Sequence, residues 1–500
     1  MLSKETLDPT DWPAFRAQAH AMLDDMLDYT EHLRERPVWQ PIPTEVKEGF
    51  LSPLPHQATP LAQLHARFLT EIAPYVIGNA HPGFMGWVQG GGTPVGMVAE
   101  MLTAGLNANV GGREQIPVAV EQQILIWMRE LFGFPMSAGG LFVTGTSIAN
   151  FIAIVIARTM QLGVDVRRDG VFGSGQLLVA YTSAGAHGCV SQAMDLAGFG
   201  TAALRQIPMN QAYQIDLHAL ANAIEEDKQA GRQPFLVVGS AGTVDVGAID
   251  DLTGLAALAK QHQLWFHIDG AYGALGMMSP EIAPRLAGIE QADSIAFDFH
   301  KWGQVPYDAG YILVRDQAHQ LAAFAAPANY LKREKRGMAA GSPWPCDLGP
   351  DLSRGFRALK TWFTLATFGT EKLGTIIAGT CALAQYLHHY IKSDPRLELL
   401  APVNLNIVCF RYVGNHEKAA TSTTEQQTHN QLNAELVIQL QESGIAAPSS
   451  TTINGQFAIR VAIVNHRTTV SNIDQLIAAT LRIGTQLENT VIPNHLTGLS

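Results

Sequence analysis

The sequence predicts an α/β fold, with a mainly parallel central sheet and a smaller α+β domain at the C-terminal end. Two patterns carry this. Short apolar runs at Leu177–Tyr181, Phe235–Gly239, Leu264–Ile268 and Ser294–Phe297 alternate with helical segments, and Tyr311–Val314 returns soon after the last. Strands read as unbroken apolar runs when helices cover both faces, so this alternation implies parallel strands. From about residue 393 the order changes. Strands expected at Leu397–Leu400, Asn406–Tyr412 and Phe457–Val464 mix with helices at Glu425–Glu442 and Asn472–Leu487, and His416–Gln427 reads as a polar loop.

Composition bounds the function. Apolar residues are 47% and charged ones 15% of a 500-residue chain, enough for a large core and more than one domain. The net charge of −11 argues against nucleic acid or an anionic membrane as partner. The four cysteines, Cys189, Cys346, Cys381 and Cys409, form no C-x-x-C pair and fit a reducing compartment. The opening residues M-L-S-K-E-T-L-D hold no apolar signal core, and Ile148–Ile156 is too short to span a bilayer. A cytoplasmic protein is expected. The 17 histidines are scattered, so no metal site is expected.

Taken in order, Asp11–Arg36 has helical periodicity, with Asp11 placed to cap it and Pro37 beyond its end. A proline-rich arm runs on to Pro60, and a helix is expected at Leu61–Ala73. Residues 1–92 have too little core of their own and should pack on something else, such as a second subunit. Residues 93–392 then make the large domain and 393–500 the small one. At the junction, H-P-G-F-M-G-W-V-Q-G-G-G-T-P (His81–Pro94) is glycine-rich, with Phe84 and Trp87 embedded. Such a loop suits close backbone approach to a ligand with aromatic walls. Helices should follow at Val95–Leu106 and Val118–Phe132, and later at Leu352–Thr367 and Glu371–Tyr390.

The chemistry gathers at strand ends, where parallel sheets bind ligands. In L-F-V-T-G-T-S-I-A-N (Leu141–Asn150) an apolar stretch leads into Thr146 and Ser147 at a helix start. Free N–H groups and the helix dipole bind phosphate there without a lysine. Neither a Walker nor a Rossmann fingerprint is present. Later strand ends carry His187, Thr243, Asp269 and Ala271. Asp269 should be buried and needs a cation or a ring N–H. His300 and Lys301 follow Ser294–Phe297 at once. Burial lowers a lysine pKa, and a neutral amine can condense with an aldehyde. An amine for an aldehyde, a carboxylate for a pyridine nitrogen, a flat group against a ring and a helix N-terminus for phosphate together fit pyridoxal phosphate.

F-D-F-H-K-W, F-H-I-D-G-A-Y and A-H-G-C-V resemble the group II pyridoxal-phosphate-dependent amino-acid decarboxylases. That family includes the aromatic-amino-acid, histidine, glutamate and diaminobutyrate decarboxylases. The resemblance covers about residues 75–380, with an echo at Phe457–Thr469. It implies the type I, aminotransferase-like fold and a homodimer with sites at the subunit interface, clasped by the N-terminal arm. It implies Lys301 as the Schiff-base lysine, Asp269 as partner of the pyridine N–H and His187 as the imidazole stacked on the ring. Ala271 would lie beneath the ring, Thr146 and Ser147 would bind phosphate, and Thr243 belongs to a segment approaching the ring. His300 would reach the phosphate or the substrate. Asp298 stands where many members have asparagine, on the phosphate side.

The implied reaction is decarboxylation of an L-amino acid to the amine and CO2. Phe84, Trp87 and Val88 suggest an apolar or aromatic side chain, while Gly111, Gly112 and Arg113 could admit something larger or acidic. Relatives carry a mobile lid with a proton-donating tyrosine. Lys332–Arg354 contains no tyrosine, although Gly337, Gly341 and Pro345 suit a mobile lid. Tyr330, also a candidate substrate contact, His187 and His300 are the remaining candidate donors. Loss of the donor shifts relatives toward aldehydes, so an aldehyde synthase or another carbon–carbon lyase is the alternative. Arg460, in I-R-V, reads as structural rather than as a partner for a substrate carboxylate.

Overall fold

The computed structural model describes residues 6–325, 334–414 and 423–491. Its strands are β1 (Phe84–Met85), β2 (Gly139–Val143), β3 (Leu178–Ser183), β4 (Leu204–Ile207), β5 (Gln233–Ser240), β6 (Trp265–Asp269), β7 (Ser294–Asp298) and β8 (Gly310–Val314), then β9 (Leu397–Leu399), β10 (Ile407–Tyr412), β11 (Ala447–Ile453) and β12 (Gln456–Ala462). A seven-stranded sheet runs β2-β8-β7-β6-β5-β3-β4. From β4 to β7 neighbours are parallel, and only β8 runs against both of its neighbours. Every predicted apolar run in this region overlaps a strand. β2 and β4 are additions: β2 opens on two glycines and β4 is a four-residue edge strand buried only at its two ends, so neither reads as an apolar run.

Both faces are covered, as continuous apolar strands require. The apolar helix Thr146–Leu162 crosses β5 to β8 on one face, packing Ile152, Ile154 and Ile156 against Leu236 and Val238. On the other face Leu220 and Ile224, with Leu252 and Leu255, meet Val237 and Phe266. Among the described residues no single helix is long and apolar enough to cross a membrane.

The C-terminal sheet is ordered β1-β11-β12-β10-β9. β1 joins it by parallel pairing of Phe84 with Ala447, so the end of the N-terminal segment is built into the C-terminal sheet. Helices Thr423–Glu442 and Val470–Val491 pack on it. The expected loop His416–Gln427 lies outside the described residues up to 422, and the remainder is helical. The helix Arg357–Ser393 is broken at Gly369, whose φ of 69° strains any residue with a side chain. That break falls between the two helices the sequence predicts.

At the N-terminus, Asp11 caps the helix Trp12–Glu31 by accepting from the Ala14 N–H at 3.0 Å. The arm contains a short helix, Thr44–Gly49, and the expected helix at Leu61–Ala73 is regular only over Leu61–Arg67.

Candidate active site

A cavity of about 470 Å³ opens at the carboxyl ends of the parallel strands, against the first turn of Thr146–Leu162. Lys301, His187, Asp269, His300, Thr146, Ser147, Thr243, Ala271, Asp298 and Trp87 all line it. Phe84 does not. Its pairing in β1 buries it to 3% exposure with Val38 and Ala447, behind Trp87 at 6.3 Å between ring centroids. Tyr330 lies outside the described residues. The glycine-rich loop walls the cavity with Trp87, Val88 and Gln89, and it has a second task besides. A Cβ on Gly90 would lie 2.4 Å from the His300 carbonyl oxygen, so its close approach is to the backbone that carries Lys301.

Asp269 ends β6 and is 6% exposed. Its Oδ1 accepts from the Ala271 N–H at 3.1 Å, and its Oδ2 accepts from Asn150 Nδ2 at 3.1 Å, with Cys189 Sγ at 3.9 Å. Burial and the Asp269 charge push the Cys189 thiol up to about 12, so it stays protonated. Asp269 forms no salt bridge among the described residues. The arrangement suits a ring N–H as the remaining partner, since a buried carboxylate wants one charge-assisted donor.

Asp298, at the end of β7, is more central than expected. Its Oδ1 accepts from the Thr146 N–H at 2.8 Å, and its Oδ2 lies 2.8 Å from Lys301 Nζ and 3.5 Å from His300 Nε2. Burial pushes the Lys301 ammonium down, but the Asp298 carboxylate outweighs it and the net shift is upward. The expected depression of this lysine is thus reversed, because sequence alone does not show that the two side chains meet. His300 Nδ1 accepts from the Ala309 N–H at 3.0 Å, which leaves the proton of the neutral ring on Nε2. Burial lowers its pKa against the pull of Asp298. His187 caps its helix, Nδ1 accepting from the Cys189 N–H at 3.1 Å, and so also carries its proton on Nε2.

Pyridoxal phosphate fits these residues on an observation independent of any motif. Thr146 Oγ1 is buried at the helix N-terminus without a hydrogen-bond partner, beside the cavity-lining Ser147. An orphaned hydroxyl in the first turn of a helix is what an oxyanion would satisfy.

Two surrounding features support the cavity. Arg460 donates to the carbonyls of Val244 and Asp245 and to Ser449 Oγ, bracing the turn that carries Thr243, and does not line the cavity. That fits its structural reading. The lid differs from expectation. Trp344 is 1% exposed, Arg113 lies 4.4 Å over its ring, and the Cys346 N–H donates to the Gly111 carbonyl at 3.0 Å. Arg354 closes the segment with a bidentate pair to Glu121 at 3.0 and 3.1 Å. From Trp344 to Arg354 the segment is docked, with Arg113 engaged by Trp344, whereas residues 334–338 are exposed. Trp344→Ala should cost about 3–5 kcal/mol in urea unfolding. A loss below about 1 kcal/mol would show that the strap is not packed.

Sequence reasoning missed Asn150, Cys189 and Tyr307. Asn150 had a signal: it is the polar residue in an apolar helix, four positions after Thr146 and therefore on its face. Tyr307 lines the cavity with its ring 4.2 Å from that of His300, and burial pushes its phenol up so that it stays protonated.

Comparison with known proteins bears on this geometry. Residues 43–413 match the family model described as the pyridoxal-dependent decarboxylase conserved domain. The chain is 31% identical over 468 residues to an aromatic-L-amino-acid decarboxylase of Bacillus atrophaeus, covering 92% of this chain and 93% of the relative. It is 28% identical to a phenylacetaldehyde synthase of Petunia hybrida, covering 94% and 93%. The solved tryptophan decarboxylase of Catharanthus roseus in complex with L-tryptophan superposes with a TM-score of 0.84 at 24% identity, covering 96% of this chain and 100% of that one.

Proposed function

The chain belongs to the pyridoxal-dependent decarboxylase family, of type I fold, and decarboxylates an amino acid with pyridoxal phosphate; on that premise we propose that its substrate is an aromatic L-amino acid and that the cavity at Lys301 is where it reacts. One observation supports this most: the lysine, the carboxylate and the orphaned helix-end hydroxyl face a single cavity whose other walls include Trp87, Val88, Tyr272 and Tyr307.

The roles divide as follows. Lys301 supplies the amine that holds the cofactor. Asp269 would accept from its ring nitrogen, His187 would lie against the ring, and Ala271 would leave space beneath it. Thr146 and Ser147 would take the phosphate, Thr243 would border the ring, and His300 would offer its Nε2–H on the phosphate side, beside Asp298. Pyridoxal phosphate, when bound, supplies a protonated ring that accepts the electron pair released as CO2 leaves. Trp87 and Tyr307, each about half exposed, offer the side chain an aromatic surface at the cavity wall. His187 Nε2–H or the Tyr307 phenol returns the proton to Cα. Asp298 holds the free Lys301 as an ammonium and places a negative charge on the phosphate side. Asp298→Asn should therefore speed attachment of the cofactor near neutral pH, by roughly tenfold for each pKa unit by which Lys301 falls. A slower attachment, followed by absorbance, would reverse that role.

A panel of L-amino acids, read for amine, CO2 and H2O2, tests the function. Aromatic substrates should give amine and CO2 in equal amounts. Preference for glutamate or another acidic amino acid would reject the substrate class. The second reading, an aldehyde synthase, rests on the missing lid tyrosine, and aldehyde with matching peroxide would establish it.

We also propose a cytoplasmic homodimer with sites at the subunit interface, divided at about residues 92 and 392. Leu51, Leu54, Phe50 and Trp12 of the N-terminal segment are exposed apolar groups that a second subunit would cover, and all four cysteines are free thiols. Light scattering should give twice the mass of the 54.0 kDa chain. A monomer at micromolar concentration would refute the dimer.

A further inference from the structure

Behind the cavity a file of buried side chains ends on Asp269. Trp265 Nε1 lies 2.9 Å from Ser294 Oγ, which lies 2.8 Å from His267 Nδ1. His267 Nε2 is 2.8 Å from Asn150 Oδ1, and Asn150 Nδ2 is 3.1 Å from Asp269 Oδ2. Ser294, His267 and Asn150 are all 0% exposed. They sit on β7, β6 and the helix Thr146–Leu162, so the file crosses three elements.

Its direction is fixed by chemistry. An indole N–H only donates, and a carboxylate only accepts. Burial pushes His267 down to about 3, so the ring is neutral and carries one proton. Asn150 must offer its amide N–H to the carboxylate, which leaves its oxygen for His267 Nε2–H, and the unprotonated Nδ1 then takes the Ser294 hydroxyl as its donor. Trp265 donates to Ser294, whose hydroxyl donates to His267 Nδ1. His267 Nε2–H donates to the Asn150 oxygen, and the Asn150 amide donates to Asp269. Reversing the last link would set an amide oxygen against a carboxylate.

We propose that this file fixes the charge of the cofactor's ring-nitrogen partner: Ser294, His267 and Asn150 are positioning residues that hold Asp269 as an anion and thereby keep the bound pyridine nitrogen protonated. The inference rests on the reading that Asp269 faces that nitrogen. Removing the Ser294 hydroxyl leaves His267 Nδ1 without a donor. The other tautomer then becomes favourable, with Nδ1–H donating to the Ser294 carbonyl at 3.2 Å. Nε2 now needs a donor, the Asn150 amide turns over, and its oxygen faces Asp269. The carboxylate gains proton affinity, and the proton shared with the ring moves toward it. Ser294 does not line the cavity, so it acts only through His267 and Asn150.

The test is to load the full-length protein with pyridoxal phosphate labelled with ¹⁵N in the ring and to read that nitrogen by NMR. The wild type should show a protonated nitrogen. Ser294→Ala should move the signal toward the unprotonated position and weaken cofactor affinity by roughly tenfold, the scale of one buried group losing its partner. Ser294→Thr, which keeps the hydroxyl, should restore both. Trp265→Phe should do less, because Ser294 can still donate. If Ser294→Ala does not fold, Ser294→Cys keeps the volume with a weaker donor and should shift the signal the same way. An unchanged signal and affinity in the folded variant overturns the proposal. Asp269→Asn separates the two levels. If it moves the signal while the Ser294 variants do not, only the file is refuted. If it leaves the signal unmoved, the assignment of Asp269 to the ring nitrogen fails first.

Discussion

Lys301→Ala should yield a folded protein that cannot be covalently labelled by pyridoxal phosphate. In the wild type, borohydride reduction followed by digestion should place the label on the peptide containing Lys301. Lys301 occupies the turn after β7, where its own N–H bonds back to the Asp298 carbonyl at 3.3 Å and its carbonyl accepts from Gln304 at 3.1 Å. These are backbone bonds, so truncation leaves the turn intact. Asp298 loses its cation but keeps the Thr146 N–H, which limits the cost of an unpaired buried charge. Turnover should fall by at least about 10²-fold, the scale of a misplaced reactant, because the amine that holds the cofactor is gone. Lys360 is the informative control: it is 2% exposed, pairs with Glu100 at 3.1 Å and donates to the Tyr307 carbonyl at 3.1 Å on the same side of the molecule. A label on Lys360, or labelling that survives in Lys301→Ala, would move the cofactor site.

How much of this was legible in the sequence depends on whether the determinants were local. Leu264–Ile268 and Ser294–Phe297 declared themselves as buried strands because a strand covered on both faces has no polar alternation to hide behind. Asp269, His187 and Lys301 followed, since a strand end fixes where the next side chain points. What failed required knowing which distant segments touch. Phe84 looked like a ligand wall, but its partner is Ala447, hundreds of positions away, and that pairing buries it. Trp344 looked like part of a loose lid, yet its ring is held under Arg113. Lys301 was expected to lose its proton through burial, and Asp298 at 2.8 Å reverses the sign. The histidine in F-H-I-D and the serine opening Ser294–Phe297 were visible letter by letter. Their common purpose was not, because the helix that supplies Asn150 comes from far earlier in the chain.

Asp269→Asn should lower kcat by on the order of 10²–10³ or more, the scale of losing one fixed charge interaction in a dry site, while KM changes little. The substitution preserves shape, so any large effect is electrostatic. Part of the loss comes from local geometry. The native carboxylate accepts from Ala271 on one oxygen and from Asn150 on the other, and an amide can offer only one oxygen. Its NH2 must face one of those donors unless Asn150 turns over, which would unsettle His267 behind it. The fold should tolerate this at a cost of about 1–3 kcal/mol, measurable in urea, because one buried donor is left unpaired. The rate loss should exceed what that cost explains, since the neutral amide cannot hold a proton on the ring nitrogen. Near-normal turnover, with the aromatic substrate at saturation, would sink the role of Asp269. A large drop in stability with the rate per folded molecule unchanged would assign this carboxylate to the fold rather than to the chemistry.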